Sequence, residues 1–428
     1  METLRKGNIG ADVELLQLAL IRAGFAGHTT NFIDGIFGQI THDSLVAFQT
    51  HTGITPDGIA GTQTWFHLMP YIQGYFIRRI VRGDTFFSLA KQFNTTVQAI
   101  STANPQVDPQ NISLGQQLII PLNFSVVPTN ITYTSHMFTH LVDGLTKRYP
   151  FLKTGTMGKS VMGKDLTYIS IGSGNLQVSY NASHHANEWI TTPILLKYLE
   201  DYSLEFSRGG CICNIPAADL YNKATLYMVP LLNPDGVDLV AGTLNSGIYY
   251  INARTYAANY PSIPFPTGWK ANISGIDLNL QYPADWEEAR RIKFAQGFTT
   301  PAPRDYVGPS PLSAPESKAL YCFTLNHDFS LTLAYHTQGQ VIFWRFKDYL
   351  PYRSYEIALK MGEISGYSVE ETPSASANAG YKDWFIQQFD RPGYTIEAGY
   401  GINPLPIAQF DSIYNDNIGI LTLGISYL

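Results

Sequence analysis

The stretch that most constrains how this chain can fold is Ser183-His184-His185-Ala186-Asn187-Glu188-Trp189. It follows a strand-like run, Leu176 to Tyr180, and opens an apolar-periodic segment from about Ile190 to Tyr202 that reads as a helix. His185 and Glu188 therefore stand three apart where strand becomes helix. That spacing lets an imidazole and a carboxylate turn toward one cation, and the two ligand types together suit zinc. Register matters: His184 with the same spacing meets Asn187, a poor zinc ligand, so only His185 completes a His-x-x-Glu pair. A bare pair of this kind is usually solvated helix surface, so its weight comes from segments downstream.

Before that junction the chain reads as two small modules. Asp34-Gly35-Ile36-Phe37-Gly38, with Thr41 beyond it, recurs as Asp57-Gly58-Ile59-Ala60-Gly61 with Thr64. In each copy an Asp-Gly turn leads to a Gly and then a helix. With an opening helix over Val13–Ala23, residues 1–72 form an all-helical module, which taken alone could be a spacer. The GADVELLQLAL opening and the DGIFG…AFQ…GITPDGIAG run resemble the peptidoglycan-binding domain of bacterial wall hydrolases. Residues 76–122 follow the order strand (Phe76–Val81), Arg82-Gly83-Asp84-Thr85, helix to about Phe93, helix over Val97–Ala103, strand (Gln117–Ile120). Asp84 or Thr85 can cap the first helix. VRGDTFFSLAKQF, ANP and LGQQLIIP resemble a LysM domain, which implies binding to N-acetylglucosamine-containing glycans. The resemblance places the groove at Gly83, Asp84, Thr85 and Phe86, opposite Gln110–Ser113. An Asn/Pro linker of about 123–130 follows.

Composition narrows the partners. Charged residues are only 14% of the chain and the formal net charge is −6, which argues against phosphate-backbone binding and so against nucleic acid. Tyr and Phe number 27 and 23, which fits neutral glycans whose sugar faces stack on aromatic rings. No apolar run reaches membrane-spanning length, and the opening METLRKGNIGADVELL has an amphipathic pattern without a signal h-region. The expectation is a cytoplasmic protein acting on the wall after lysis, or a wall-associated one if an export segment precedes it. Three cysteines, Cys211, Cys213 and Cys322, give no disulfide framework and read as reduced thiols. The Asn-x-Ser/Thr triplets at Asn94, Asn111, Asn130, Asn181 and Asn272 read as chance occurrences.

Residues 131–428 read as one α/β unit. Strand-like runs recur at Leu166–Ile171, Gln177–Asn181, Thr225–Leu232, Leu331–His336 and Tyr394–Ala398 with helical patterns between several of them, predicting a mixed central sheet covered by helices. In such sheets ligands gather at the carboxyl ends of strands. Four segments line up with the opening one: Asn233-Pro234-Asp235-Gly236, then Trp269-Lys270-Ala271-Asn272 before Gly275-Ile276-Asp277-Leu278-Asn279, then a strand-end His336, then Glu397 late in a strand. Each alone is unremarkable; the signal is their order.

In that order they resemble the zinc carboxypeptidase family over nearly all of 131–428. The resemblance implies one zinc per chain on His185, Glu188 and His336, with a fourth position open to water. It implies that Asp277 receives the other ring N–H of His185 and fixes its tautomer. Glu397 matches the general base that works on zinc-activated water. Lys270 stands where the family usually has an Arg that stabilises the oxyanion. Asn279 and Asn233 fall among the substrate-contacting positions.

The departures bear on specificity. The family's Asp-x-Asn-Arg, whose Arg grips a substrate's terminal carboxylate, reads Asp277-Leu278-Asn279-Leu280 here. The family's capping Tyr falls near Ala375, with Tyr381 close by, and Lys382 sits where specificity residues usually lie. Lys382 first and Arg254 second are the candidate cations for the substrate's carboxylates. The pairing of modules resembles the bacterial γ-D-glutamyl-meso-diaminopimelate peptidases, which cut peptidoglycan stem peptides. The alternatives are a conventional metallocarboxypeptidase that uses another cation, and a non-catalytic wall-binding protein.

Overall fold

The structure, a computed structural model, describes residues 1–26 and 31–427. These fall into two compact units, Met1–Lys153 and Thr154–Leu428.

In the first unit, helices α1 (Ala11–Arg22), α2 (Gln39–Thr52) and α3 (Thr62–Gln73) pack around Leu16, Leu20, Leu45, Phe48 and Leu68. The internal repeat has a structural cause. Gln17 and Gln49, both buried, each clamp one copy of the Asp-Gly turn. Gln17 donates to Asp34 Oδ1 (2.7 Å) and Thr41 Oγ1 (3.0 Å) and accepts from Gly35 N (3.0 Å). Gln49 repeats this with Asp57 (2.9 Å), Thr64 (3.1 Å) and Gly58 N (2.9 Å). Gly35 and Gly58 have φ of 69° and 68°, the left-handed conformation that favours glycine.

Next, β1 (Tyr75–Arg79) pairs antiparallel with β2 (Gln117–Pro121), and α4 (Phe86–Gln92) and α5 (Val97–Ala103) lie between them in sequence. Thr85 begins α4 with a reciprocal capping box to Ser88, and Thr96 caps α5. Helix α6 (Ser135–Arg148) also belongs to this unit: Asp143 Oδ2 accepts from Gln73 Nε2 (3.0 Å) and Tyr75 Oη (2.7 Å). The sequence reading starts its third region at 131; the second compact unit starts at Thr154, because α6 spends its contacts on the preceding modules.

The second unit is built on strands β3 (Lys153–Lys159), β4 (Asp165–Ile171) and β5 (Leu176–Ala182), helix α7 (Thr191–Arg208), the hairpin β6 (Cys211–Ile212) and β7 (Ile215–Pro216), and helix α8 (Ala217–Lys223). Then come β8 (Ala224–Val229), helices α9 (Pro234–Val240), α10 (Gly247–Ala258), α11 (Trp286–Ala295) and α12 (Pro315–Leu325), and β9 (Phe329–His336). The chain closes with β10 (Val341–Phe343), α13 (Ser354–Ser365), β11 (Ser368–Glu370), α14 (Tyr381–Phe389), β12 (Gly393–Glu397) and α15 (Phe410–Ser426).

Eight strands form one mixed sheet in the order β11-β10-β12-β9-β5-β8-β4-β3. The centre (β8, β5, β9, β12) is parallel, while β4 runs antiparallel to β8 and β10 to β12. After β5 the chain returns on the β8 side, and after β9 it returns through β10 on the β12 side. The reversal opens a crevice at the carboxyl ends of β5 and β9, where open α/β sheets place their ligands. Against the sequence reading, the strand expected to reach Leu232 ends at Val229, and β3, β10 and β11 are additional. No helix among the described residues is long and apolar enough to cross a membrane.

Candidate metal centre and cleft

The crevice is lined from three strand ends. β5 delivers Ser183, with φ of 52°, and then His185, whose extended backbone starts a single 3-10 turn, Ala186–Glu188. That turn brings His185 and Glu188 to face one point, while His184 turns into the core with Nε2 3.2 Å from the Tyr282 hydroxyl. His336 ends β9, and Glu397 ends β12 in register beside it. His185 Nδ1 and His336 Nδ1 are 3.0 Å apart, and each lies 3.0 Å from Glu188 Oε2. Donors on one tetrahedral zinc at roughly 2.0–2.1 Å stand about 3.3 Å from one another. The three atoms therefore already enclose a site of the right size. Two imidazole nitrogens and a carboxylate oxygen on three buried residues are the donor set of a catalytic zinc, so the chemistry of the cluster fits that cation.

Around this centre, Asp277 Oδ1 is 3.1 Å from His185 Nε2, which holds the ring so that Nδ1 faces the site. Lys270 is mostly covered, with Nζ 3.5 Å from Glu188 Oε1. The loop carrying Lys270 and Asp277 is fastened to the junction: Ala186 N donates to Lys270 O (3.0 Å), and Asn233 Nδ2 donates to His184 O (3.1 Å) and Ala271 O (3.0 Å). Asn272 shapes the loop from inside, with its Oδ1 accepting from Ser274 N (3.1 Å) and Ile276 N (3.0 Å).

Electrostatics follow from burial and proximity. Burial raises the Glu397 carboxyl to about 8, with the Glu188 charge adding and Lys270 and His185 opposing. A cation bound at the three-atom site acts in the opposite direction and favours the carboxylate. Burial also opposes the charge on Glu188, yet His185 and Lys270 outweigh it and hold its carboxyl well below the usual range.

Two connected hollows open from the centre and share Lys270, Arg304, Phe343 and Glu397. One, of about 250 Å³, runs past Asn279, Leu280, Gly380 and Lys382; the other, of about 640 Å³, runs past Asn187, Gly268, Gln338 and Asn403. Asn279 lines the first and accepts from Tyr381 N through Oδ1 (3.0 Å). Leu280 packs with Trp286, Ala289, Val307 and Ala379 and adds one apolar side chain to a lining that otherwise carries Lys293, Arg304, Asp305, Lys382 and Asp383.

Several residues expected at the cleft sit differently. Asn233 is fully buried behind it, and its amide hydrogen bonds pin the loops. Tyr381 is buried in the core, its hydroxyl 2.9 Å from Thr324 Oγ1, because it opens α14 facing the sheet. Lys382 lines the hollow but is 3% exposed, its Nζ on Asp383 Oδ1 (2.5 Å) and Arg345 O (2.7 Å). Arg254 is exposed on α10 and lines neither hollow. In the small module, Gly83 has φ of 94°, Asp84 pairs with Arg78 (3.1 Å), Thr85 caps α4, and Phe86 is buried in the core with Leu89, Ile100 and Leu118. Phe87 beside it is exposed and was not singled out by sequence. Arg304 was missed as well, since nothing in Pro303-Arg304-Asp305-Tyr306 signals a cleft residue.

Residues 138–418 match the zinc carboxypeptidase family model, residues 9–68 a peptidoglycan binding domain, and residues 79–121 a LysM domain. Among curated proteins, the chain is 42% identical over 304 residues to "Gamma-D-glutamyl-L-diamino acid endopeptidase 1" of Lysinibacillus sphaericus, covering 71% of this chain and 75% of that one. It is 38% identical over 277 residues to "Uncharacterized protein YqgT" of Bacillus subtilis (strain 168), covering 64% and 72%. Among solved structures, thrombin activatable fibrinolysis inhibitor superposes with a TM-score of 0.54 at 15% identity, covering 75% of this chain and 90% of that one, a likeness of fold alone.

Proposed function

Since the chain belongs to the zinc carboxypeptidase family and is a zinc metallopeptidase with peptidoglycan-binding and LysM domains, we propose that it hydrolyses the γ-D-glutamyl–meso-diaminopimelate bond of peptidoglycan stem peptides. The observation that carries this reading is Leu280. It places an apolar, packed side chain where the family's conventional carboxypeptidases hold an Arg for the substrate's terminal carboxylate. A carboxylate in a closed pocket needs a cation, and at this position the chain does not supply the one that conventional carboxypeptidases use. The name of the Lysinibacillus sphaericus relative supports the same substrate class.

In this reading His185, Glu188 and His336 hold the metal, and Asp277 keeps the His185 ring in the required tautomer. Bound zinc supplies Lewis-acid polarisation of the scissile carbonyl and lowers the pKa of the attacking water. Glu397 accepts the proton from that water as it attacks and delivers it to the diaminopimelate amine as the C–N bond breaks. Lys270 lies beside the same centre and offsets the negative charge that develops on the carbonyl oxygen. Glycan binding by the first unit would hold the protein at its insoluble substrate. The test is mass spectrometry of products from purified muropeptides. Release of diaminopimelate or diaminopimelate-bearing fragments with a free amine at the former γ-D-Glu bond is expected; intact stems, or removal only of residues that follow diaminopimelate, would refute the reading.

A further inference from the structure

A stem peptide of this kind carries free carboxylates on both residues that flank the scissile amide, and the cations proposed from sequence do not meet them. Lys382 is spent on Asp383 and Arg345 O, and Arg254 is outside the cleft. Arg304 is placed differently. It lines both hollows at their junction, alongside Lys270 and Glu397. Its segment is strapped to the loop of the active centre at successive positions. Pro303 O accepts from Lys270 N (2.7 Å) and Ala271 N (2.9 Å), Asp305 N donates to Asp277 Oδ2 (3.2 Å), and Tyr306 O accepts from Asp277 N (2.8 Å). The Arg304 backbone is thus held between two anchored neighbours, in fixed relation to His185.

The side chain is oriented by one bond and left open at its tip. Nε donates to Asp305 Oδ2 (2.6 Å), and Lys293 Nζ takes the other oxygen (2.7 Å), so two cations share the Asp305 carboxylate. The Arg304 side chain is 46% exposed, and neither terminal nitrogen of its guanidinium makes a hydrogen bond among the described residues. A fork with both ends unspent, on a residue that lines the cleft beside Lys270, can bind a carboxylate bidentately.

We propose that Arg304 is the specificity-determining residue that grips a free carboxylate borne by one of the two residues flanking the scissile amide, replacing the anchor that Leu280 removes. This rests on the γ-D-glutamyl–diaminopimelate reading. The D-Glu α-carboxylate and the diaminopimelate carboxylate next to the scissile nitrogen share this chemistry, and the test separates them. Full-length zinc-loaded wild type, Arg304→Gln and Arg304→Lys are assayed on L-Ala-γ-D-Glu-meso-diaminopimelate, on the same tripeptide with the D-Glu α-carboxylate amidated, and on the tripeptide with the diaminopimelate carboxylate amidated. Charge-assisted hydrogen bonds of this kind set the expected loss at about 10- to 150-fold in kcat/KM when wild type meets the amide of the recognised carboxylate.

Arg304→Gln should lose a similar factor on the free acid, chiefly through KM, and should no longer distinguish that acid from its amide. Arg304→Lys should recover part of the preference, because a point charge lacks the fork. The carboxylate whose amidation matters identifies the source. An Arg304→Gln enzyme that keeps the wild-type preference for acid over amide overturns the inference, as does an equal loss on all three substrates. If Arg304→Gln does not fold, an undiminished preference in Arg304→Lys has the same consequence. A wild type that cleaves none of the three overturns the underlying reading instead.

Discussion

Glu316 makes a quantitative prediction about the scaffold that holds the active centre. It lies in the first turn of α12, fully buried, with Oε1 accepting from Val161 N (3.1 Å) and Oε2 from Asn272 Nδ2 (3.0 Å). Asn272 in turn shapes the loop between Lys270 and Asp277. Burial raises the Glu316 carboxyl from 4.5 to about 7, against the hydrogen bonds from Asn272, its own N–H and Val161. The folded state therefore holds this proton more tightly than the unfolded chain. The associated stability is complete below the unfolded value and is lost as pH rises through about 7. At about 1.4 kcal/mol per pKa unit, the loss between about pH 5 and about pH 8 is on the order of 2–3 kcal/mol. Glu316→Gln removes the titration. It also sets the new amide N–H₂ against a donor, either Val161 N or Asn272 Nδ2. Asn272 cannot turn to accept it, because its Oδ1 is committed to Ser274 N and Ile276 N. That adds a pH-independent penalty of about 1–3 kcal/mol. Denaturant unfolding followed by tryptophan fluorescence reads the second unit, since five of the six tryptophans lie there (Trp189, Trp269, Trp286, Trp344 and Trp384). The wild-type advantage over Glu316→Gln should shrink by about 2–3 kcal/mol from pH 5 to pH 8. A gap that stays constant across that range would refute the reasoning.

Three further outcomes follow from the same geometry. His336→Ala should lose tight zinc binding, measured by competition with a chromophoric chelator, while the first unit keeps its fold; unchanged affinity would place the metal elsewhere. Glu397→Gln should retain zinc and lose roughly 10²–10⁴-fold in turnover, and Lys270→Ala about 10²–10³-fold; near-normal rates in either would remove that residue from the chemistry. Residues 1–153, produced alone because they form one compact unit, should pellet with insoluble peptidoglycan. Absence of binding would leave the modules without a targeting role.

What the sequence could and could not convey has a physical pattern. His185 and Glu188 were legible as a pair from the strand-to-helix turn, whereas His336 joined them only through the order of segments that resembles the family, since a strand-end His alone carries no such signal. The central strands were legible from their apolar runs, whereas β3, β10 and β11 were not, being polar or only three residues long at the sheet margins. Side-chain direction was the weaker inference. Tyr381 and Lys382 lie beside the cleft in sequence, yet the pitch of α14 sends the first into the core and gives the second to Asp383. Phe86 and Phe87 reverse in the same way: the inward ring belongs to the small module's core and its neighbour is 74% exposed. Arg304 carried no signal at all. Backbone hydrogen bonds between distant loops bring it to the centre, and no local spacing encodes them.

The central claim is a choice of bond, and one assay tests it most directly. Purified zinc-loaded protein is given L-Ala-γ-D-Glu-meso-diaminopimelate and, side by side, a blocked dipeptide carboxypeptidase substrate, with products identified by mass. The proposed reading, with Leu280 in place of the usual Arg, predicts cleavage of the tripeptide to L-Ala-D-Glu and free diaminopimelate, with the dipeptide left essentially intact. Efficient release of the dipeptide's C-terminal residue, with the tripeptide untouched, would contradict the account and identify a conventional carboxypeptidase.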